Sequence, residues 1–292
     1  MNAFVYQKIT DAIIDKLEQG IVPWRKPWND TGLPRSLITK RPYKGINVFL
    51  LGSLNYELPY FLSFNQLKNI GGSVRKNEKA NLVVFYKWLG AKDEEGNIVL
   101  DSKGRPKQIP MLRYYYVFNV EQCSGIDKKH IPEIPKRQFS PIKKAEEIFN
   151  DMPYRPRTEY KGSMACYYPS TDMIKMPSLD SFRSDEEIYS TLFHEMVHST
   201  GHKSRLDRKG VTGQASFGSE QYSQEELVAE MGAAFLCAEA GIENTTISNS
   251  AAYISNWLGK LRNDKRLVVI AAGAAQKACD YILGTKTGDE NE

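Results

Sequence analysis

The amino-acid sequence predicts an α+β protein with two domains. Its 292 residues are enough for two hydrophobic cores. Segments with the spacing of helices alternate with segments rich in Val, Tyr and Phe, which are typical of strands. The stretch 127–141 contains several prolines and has neither period, as expected of a linker. We therefore expect domains at 1–126 and 142–292, joined by a linker at 127–141.

The first domain is expected to be a small α+β unit. Apolar residues at helical spacing predict a helix over 3–19, which ends at Gly20. A second helix is predicted over 62–71, where two glycines end it. Strands are predicted over 81–89 and 111–120, and the polar segment between them suits a long hairpin tip.

The second domain is expected to place a long helix directly after a β-hairpin. The hairpin strands are predicted at 164–168 and 173–176. Ser184, with Glu187 three residues later, has the capping-box pattern and predicts a helix over 185–200. Other helices are predicted over 142–150, from Ser223 to Gly241, and over 264–283.

Charge is divided unevenly along the chain. Residues 1–140 contain 22 Lys and Arg against 13 Asp and Glu, a net charge of +9, whereas residues 141–292 contain 17 against 22, a net charge of −5. A basic half indicates a surface that meets a polyanion, although an ordinary solvated surface is the alternative.

The composition also indicates in which cellular compartment the protein is expected. No apolar run has the length of a membrane span, and the first residues lack the pattern of a signal peptide. The four cysteines lie far apart and form no Cys-x-x-Cys pair, which favours free thiols in a reducing compartment. We expect a cytoplasmic protein with no membrane partner.

The pattern His-Glu-x-x-His occurs at His194, Glu195 and His198. Residues four apart share a helix face, so the two imidazoles can bind a single ion. Zinc lowers the pKa of a coordinated water, and Glu195 is placed to accept the proton of that water. The alternative is a surface helix with two solvated histidines, but the neighbouring residues are apolar and indicate a buried helix. The motif predicts one catalytic Zn²⁺ per chain.

A carboxylate is needed to complete such a site, and the next predicted helix offers Glu225, Glu226 and Glu230. Glu226 and Glu230 share a helix face, whereas Glu225 is rotated by roughly 100° from Glu226. His202 comes two residues before the position of the third histidine in the metzincin pattern, where this chain has Ser204. We expect His202 to support the site from outside the ligand set.

Single-stranded nucleic acid is bound by basic grooves with aromatic platforms, on which bases stack. The segment from Trp24 to Trp28 interleaves indoles with cations. The alternative is that both tryptophans are core residues. The chain has no base-reading motif that would favour DNA binding over this alternative. The predicted DNA-binding residues are Trp24, Arg25, Lys26, Trp28, Tyr43, Lys44, Arg75, Lys76 and Lys79.

Several segments resemble plasmid antirestriction proteins of the ArdC type, whose N-terminal module also resembles the opening of some conjugative primases. The similarity covers nearly the whole chain in the same order, although Asn77 stands where the family pattern leads us to expect glycine. The segments that carry the resemblance are 23–28, 42–47, 71–78, 116–123, 194–205 and 225–230.

This resemblance implies a single-stranded DNA-binding domain followed by a zincin-like metallopeptidase domain. It implies a protein that protects incoming plasmid DNA from host restriction during conjugation, with an unidentified host protein as substrate. Resemblance to thermolysin-like gluzincins implies that Glu226 is the third zinc ligand and that Glu230 hydrogen-bonds a ligand histidine. The alternatives are a DNA-coating protein with an idle zinc site, or a zinc-dependent nuclease.

Overall fold

A computed structural model describes residues 2–25, 32–91, 93, 95–100, 104, 106–132, 141–161, 163–213, 220–244 and 250–285. The α+β class is confirmed. Within these ranges the helices are α1 (Asn2–Glu18), α2 (Ile46–Gly52), α3 (Phe64–Asn69), α4 (Pro141–Asp151), α5 (Asp185–Thr200), α6 (Lys209–Thr212), α7 (Glu220–Ala240), α8 (Ala251–Asn263) and α9 (Leu267–Ile282). The strands are β1 (Arg35–Ser36), β2 (Tyr60–Leu62), β3 (Ser73–Val74), β4 (Asn81–Gly90), β5 (Gln108–Asn119), β6 (Cys123–Ser124), β7 (Arg157–Tyr160), β8 (Cys166–Tyr168) and β9 (Met173–Met176).

A four-stranded sheet in the order β1-β2-β5-β4 forms the N-terminal half. The long antiparallel pair of β4 and β5 confirms the two predicted strands. Helix α2, which the sequence analysis did not predict, docks on this sheet because the Asn47 side chain hydrogen-bonds both N and O of Val84, each at 2.8 Å. The segment of α2 is almost wholly apolar and therefore shows no helical period.

A three-stranded sheet in the order β7-β9-β8 precedes the motif helix. Strands β8 and β9 form the predicted antiparallel hairpin, and β8 lies at an edge of the sheet. Strand β7 pairs in parallel with β9 and was not predicted, since its sequence Arg-Thr-Glu-Tyr is mostly polar.

Helix α5 has the predicted bounds, and Oγ of Ser184 accepts a hydrogen bond from N of Glu187 at its start. The predicted start of α7 at Ser223 is wrong, because Ser223 is buried within a helix that already includes Glu220. Helix α8 was not predicted, although its N-cap Ser250 accepts a hydrogen bond from N of Tyr253.

One apolar cluster joins the two halves of the chain. Helix α1 buries Ile9 and Ile13 completely and packs against α8 and α9. Phe49 of α2 stacks on Phe235 of α7, with ring centroids 4.8 Å apart. The two halves are therefore bound by a shared core, while residues 133–140 of the predicted linker lie outside the described residues. Among the described helices, none has the length and apolar character needed to cross a membrane.

Candidate metal centre

Helices α5 and α7 bring His194, His198 and Glu226 together. The Nε2 atoms of the two histidines lie 3.2 Å apart. The Glu226 carboxylate reaches both of them, with Oε2 at 3.7 Å from Nε2 of His194 and Oε1 at 3.5 Å from Nε2 of His198. All three side chains are partly sheltered from solvent, and Glu226 is the most exposed at 28%.

The spacing of these donors fits a single divalent cation. Two imidazole nitrogens at about 2.0–2.1 Å from one tetrahedral zinc ion would lie roughly 3.3 Å from each other. The three donor atoms all lie within 4.8 Å of one another. Two imidazoles and a carboxylate are a donor set that zinc and neighbouring transition metals take. These residues could therefore hold such an ion.

The histidines are surrounded by carboxylates. Burial lowers the pKa of His198, but the hydrogen bond to Glu225 and the charges of Glu195, Glu225 and Glu226 outweigh burial, and its pKa is raised above the ordinary value. Glu195 follows His194 directly and is itself buried. A cluster of negative charge around the imidazoles favours a bound cation.

Tyr222 is a site residue that the sequence analysis missed. It lies one helical turn before Glu226 and hydrogen-bonds the Glu226 carboxylate. Burial raises the pKa of Glu226, yet the neighbouring His194, the charge of His198 and the hydrogen bond from Tyr222 lower it to about 2. Burial and the Glu226 charge raise the pKa of Tyr222 to about 12. The four-residue spacing from Glu226 is the sequence signal that could have found it.

Glu225 holds the position beside a histidine that the sequence analysis gave to Glu230. Its Oε1 lies 3.4 Å from Nδ1 of His198. Arg208 donates to both carboxylate oxygens of Glu225, from Nε at 3.0 Å and from Nη2 at 2.6 Å. Burial raises the pKa of Glu225, but the bonds to His198 and Arg208 lower it below the ordinary value.

The expectation that Glu230 hydrogen-bonds a ligand histidine is not met. Its Oε2 accepts from Oη of Tyr253 at 2.6 Å and from Nε1 of Trp24 at 3.1 Å. Four residues move a side chain about 6 Å along a helix axis. The side chain of Glu230 therefore lies beyond the histidines along α7, and it contacts α8 and the N-terminal half. Burial raises its pKa to about 7, against the opposing hydrogen bond from Tyr253.

His202 lies in the loop after α5, outside the group of three donors. Its Nδ1 lies 2.7 Å from Oγ of Ser204. The same loop is tied to the β-hairpin by Arg205, which donates to both carboxylate oxygens of Asp172 at 2.8 Å. His202 therefore belongs to a loop that borders the site.

The edge strand β8 runs beside the metal centre. The pKa of the Cys166 thiol on this strand is raised by burial and by the charges of Glu195 and Glu226. Strand β8 is paired with β9 on one side, and no other described strand pairs with its outer edge. This edge is a place where an extended chain could add by backbone hydrogen bonds.

Trp24 is a core residue, so the prediction that its indole stacks on a base is wrong. It is completely buried, its Nε1 also donates to Oη of Tyr253 at 2.9 Å, and its ring meets Trp257 edge-to-face. A base needs an exposed aromatic face to stack on. Lys26 and Trp28 lie outside the described residues.

The other predicted DNA-binding residues lie on separate elements. Tyr43 is partly buried and packs edge-to-face on Phe61. Lys44 is exposed, with Nζ 3.8 Å from Asp280 of α9.

Arg25 is partly exposed, and Arg75, Lys76 and Lys79 are exposed beside the turn between β3 and β4. In that turn Asn77 has a φ of 69°, a conformation that glycine adopts freely and asparagine tolerates.

Two families match this chain. Residues 143–274 match the family of zincin-like metallopeptidases. Residues 3–118 match the family described as the N-terminal domain of anti-restriction factor ArdC. Two crystal structures of the antirestriction protein ArdC from plasmid R388 are similar over nearly the whole chain. The metal-free one has a TM-score of 0.73 at 35% identity and covers 96% of this chain and 97% of its own. The Mn(II)-bound one has a TM-score of 0.72 at 34% identity and covers 97% of this chain and 98% of its own.

Similar proteins include two DNA primases TraC of Escherichia coli, at 34% and 32% identity over 95% of this chain. This chain spans only 20% and 27% of the lengths of those primases. Protein y4eC of Sinorhizobium fredii is 31% identical over 95% of this chain and 91% of its own length.

Proposed function

The chain belongs to the ArdC family of antirestriction proteins, and from this membership we propose that it binds single-stranded DNA and hydrolyses a protein substrate at a zinc site. In this proposal it acts in the cytoplasm of a bacterium that receives plasmid DNA by conjugation, and it protects that DNA from host restriction. The observation that carries the proposal is the convergence of His194, His198 and Glu226 beside the buried carboxylate of Glu195.

We assign the metal ligands to His194, His198 and Glu226. Zinc bound there would polarise a carbonyl group and lower the pKa of a coordinated water. Zinc is proposed because two imidazoles and one carboxylate suit it, although the R388 relative was crystallised with Mn(II). Glu195 would accept the proton of the attacking water and pass it on to the leaving amine. The Tyr222 hydroxyl, which donates to Glu226 in this structure, would turn from Glu226 to donate a hydrogen bond to the substrate oxygen on which charge develops.

The substrate class proposed is an extended segment of protein. Strand β8 provides an edge beside the metal centre, on which a peptide could form backbone hydrogen bonds. A nuclease is the weaker alternative, since metal-dependent nucleases commonly use two ions and the described residues contain one group of suitable donors. A DNA-coating protein with an idle metal is the other alternative.

DNA binding is proposed for the basic N-terminal half, which has a net charge of +9 over residues 1–140. The support is the family match together with this charge, rather than an aromatic platform at Trp24. Binding of the full-length protein to a labelled oligonucleotide should weaken as salt rises, because phosphate contacts release counterions.

Replacement of the proposed base tests the peptidase. We expect Glu195→Gln to keep the metal but to abolish both cleavage of a host protein and protection of incoming DNA. Glu239→Gln changes an exposed carboxylate on α7 and is the matched control. Host proteomes compared between wild type, Glu195→Gln and Glu239→Gln would identify the substrate. Full protection by Glu195→Gln would favour the coating protein, and cleavage of naked DNA by the wild type would favour the nuclease.

A further inference from the structure

His198 is contacted at both nitrogens of its ring. Its Nε2 points to His194 and Glu226, which share the proposed metal position. Its Nδ1 points the other way, to Oε1 of Glu225. A carboxylate oxygen can only accept a hydrogen bond, so this contact requires the proton of a neutral imidazole to be on Nδ1. The lone pair then lies on Nε2, on the side of His194 and Glu226.

Arg208 holds the Glu225 carboxylate in this orientation. The guanidinium donates to both oxygens of Glu225, which is a bidentate and charge-assisted contact. Arg208 also donates to O of Val197 at 2.7 Å and to Oγ1 of Thr200 at 2.6 Å. These two groups belong to the last turn of α5, which also carries His198. Arg208 therefore ties Glu225 of α7 to the turn that carries the histidine.

The surroundings leave this arrangement little freedom. The side chains of Arg208 and Glu225 are only 13% and 8% exposed. Gly210 packs against Glu225 so closely that a Cβ at 210 would lie 2.9 Å from Cβ of Glu225. A buried carboxylate with two donors fixed by a planar guanidinium has a single favourable orientation. Glu225 is thereby directed at Nδ1 of His198 and kept away from the position faced by its neighbour Glu226.

We propose that Glu225 and Arg208 are positioning residues of the metal centre, acting together to set the tautomer and orientation of His198. The inference rests on the proposed function, because it takes His198 as a metal ligand. It differs from the expectation for gluzincins, in which an acid four residues after the ligand glutamate takes this role. Here the acid directly precedes Glu226 and is held by an arginine from the loop between the two helices.

Metal affinity is the first test. The dissociation constants of Zn²⁺ and Mn²⁺ are measured by competition with a chromophoric chelator in the full-length protein. We expect Glu225→Gln and Arg208→Lys each to weaken binding by about 10–100-fold, as removal of a partner of a ligand histidine does. Glu225→Asp should recover part of the loss. Lys209→Gln removes an exposed neighbouring cation and should bind as the wild type does. Thermal unfolding of each metal-free variant separates loss of affinity from loss of folding.

The second test reads the tautomer directly. At an alkaline pH, where the ring of His198 is neutral, nitrogen NMR of histidine-labelled, metal-free protein should show its proton on Nδ1. In Glu225→Ala the tautomer with the proton on Nε2 should gain population, while His202 is unchanged. Wild-type metal affinity in both Glu225→Gln and Arg208→Lys would overturn the proposal, and so would an Nε2–H tautomer in the wild type. If the wild type binds no metal, the proposed function fails, while the NMR result still decides whether Glu225 sets the tautomer.

Discussion

Gly232 of α7 lies directly against Val197 of α5. A Cβ at position 232 would come within 2.7 Å of Cγ2 and 2.8 Å of Cγ1 of Val197, closer than side chains pack. Val197 is next to His198, and Gly232 is six residues after Glu226. The absence of a side chain at 232 thus sets how closely the helix of Glu226 approaches the helix of the histidines.

Gly232→Ala should separate the two helices and weaken the metal centre. We expect a loss of about 1–3 kcal/mol in the free energy of unfolding, together with lower metal affinity. The double variant Gly232→Ala/Val197→Ala should recover much of both, because it removes the atoms that clash. Gly259→Ala on α8 is the control, since no atom lies within 4 Å of a Cβ there. Chemical denaturation and chelator competition provide the two measurements, and an unaltered metal affinity in Gly232→Ala would contradict the geometric argument.

Glu226→Ala should abolish tight metal binding, because Glu226 is the only carboxylate that faces both Nε2 atoms in the described group. Glu230→Gln should keep the metal, since Glu230 bonds Trp24 and Tyr253 instead of a histidine. Metal content per chain, measured by mass spectrometry after dialysis, distinguishes the two variants. A full complement of metal in Glu226→Ala would remove Glu226 from the ligand set.

Glu230 should make the metal-free protein less stable as the pH rises from about 4.5 to 7. Its pKa is about 7 in the folded chain against an ordinary value of 4.5, so in this interval the unfolded chain releases a proton that the folded chain keeps. The stabilising contribution is complete below pH 4.5 and is lost as the pH rises through 7. Tyr253, Trp24, His194 and Glu226 are the groups that act on this carboxyl.

Glu230→Gln cannot release a proton, so its stability relative to the wild type should rise by up to about 3 kcal/mol over this pH interval. The measurement is urea unfolding in the presence of a chelator at several pH values. Glu239→Gln, an exposed change on the same helix, should follow the wild-type profile. Parallel profiles for Glu230→Gln and wild type would show that folding does not raise the pKa of Glu230.

Trp24→Phe should lower stability without changing the affinity for single-stranded DNA. The variant loses the donor to Glu230 and Tyr253, and leaving buried acceptors without that donor costs about 1–3 kcal/mol. The indole has no exposed face, so no base contact is lost. Fluorescence anisotropy with a labelled oligonucleotide, at a temperature where the variant is folded, gives the affinity. Weaker DNA binding by a fully folded Trp24→Phe protein would restore the stacking hypothesis.

Ile13→Ala should destabilise the whole molecule in a single transition. Ile13 is fully buried in the cluster that joins α1 to the C-terminal helices, and truncation of such a side chain costs about 2–5 kcal/mol. Calorimetry should show one cooperative peak that moves to lower temperature. A separate early peak, with the rest of the profile unchanged, would show that the two halves unfold independently.

The motif helix could be predicted because its signals are local. His194 and His198 are one turn apart, and Ser184 marks the helix start within the same segment. The choice between Glu225 and Glu230 could not be made in this way. It depends on the offset between α5 and α7, which the contact of Val197 with Gly232 sets across 35 positions of sequence.

The burial of Trp24 could not be predicted from the sequence either. A tryptophan between prolines and cations suits both an exposed platform and a core. The partners that decide between them, Glu230 and Tyr253, are more than 200 positions away. Helix α2 was not predicted for another reason, since a short helix whose residues are apolar except for Asn47 has no periodic signal.

The shared core also limits how this gene can recombine. A hybrid that takes its first half from one relative and its metal helices from another must inherit matching surfaces on α1 and α9. It must also keep an acceptor for the indole nitrogen of Trp24. A crossover within 133–140 would separate those partners even though it interrupts no described helix or strand. The two primases TraC of Escherichia coli match 95% of this chain within a fraction of their own length, as expected if both halves are inherited as one block.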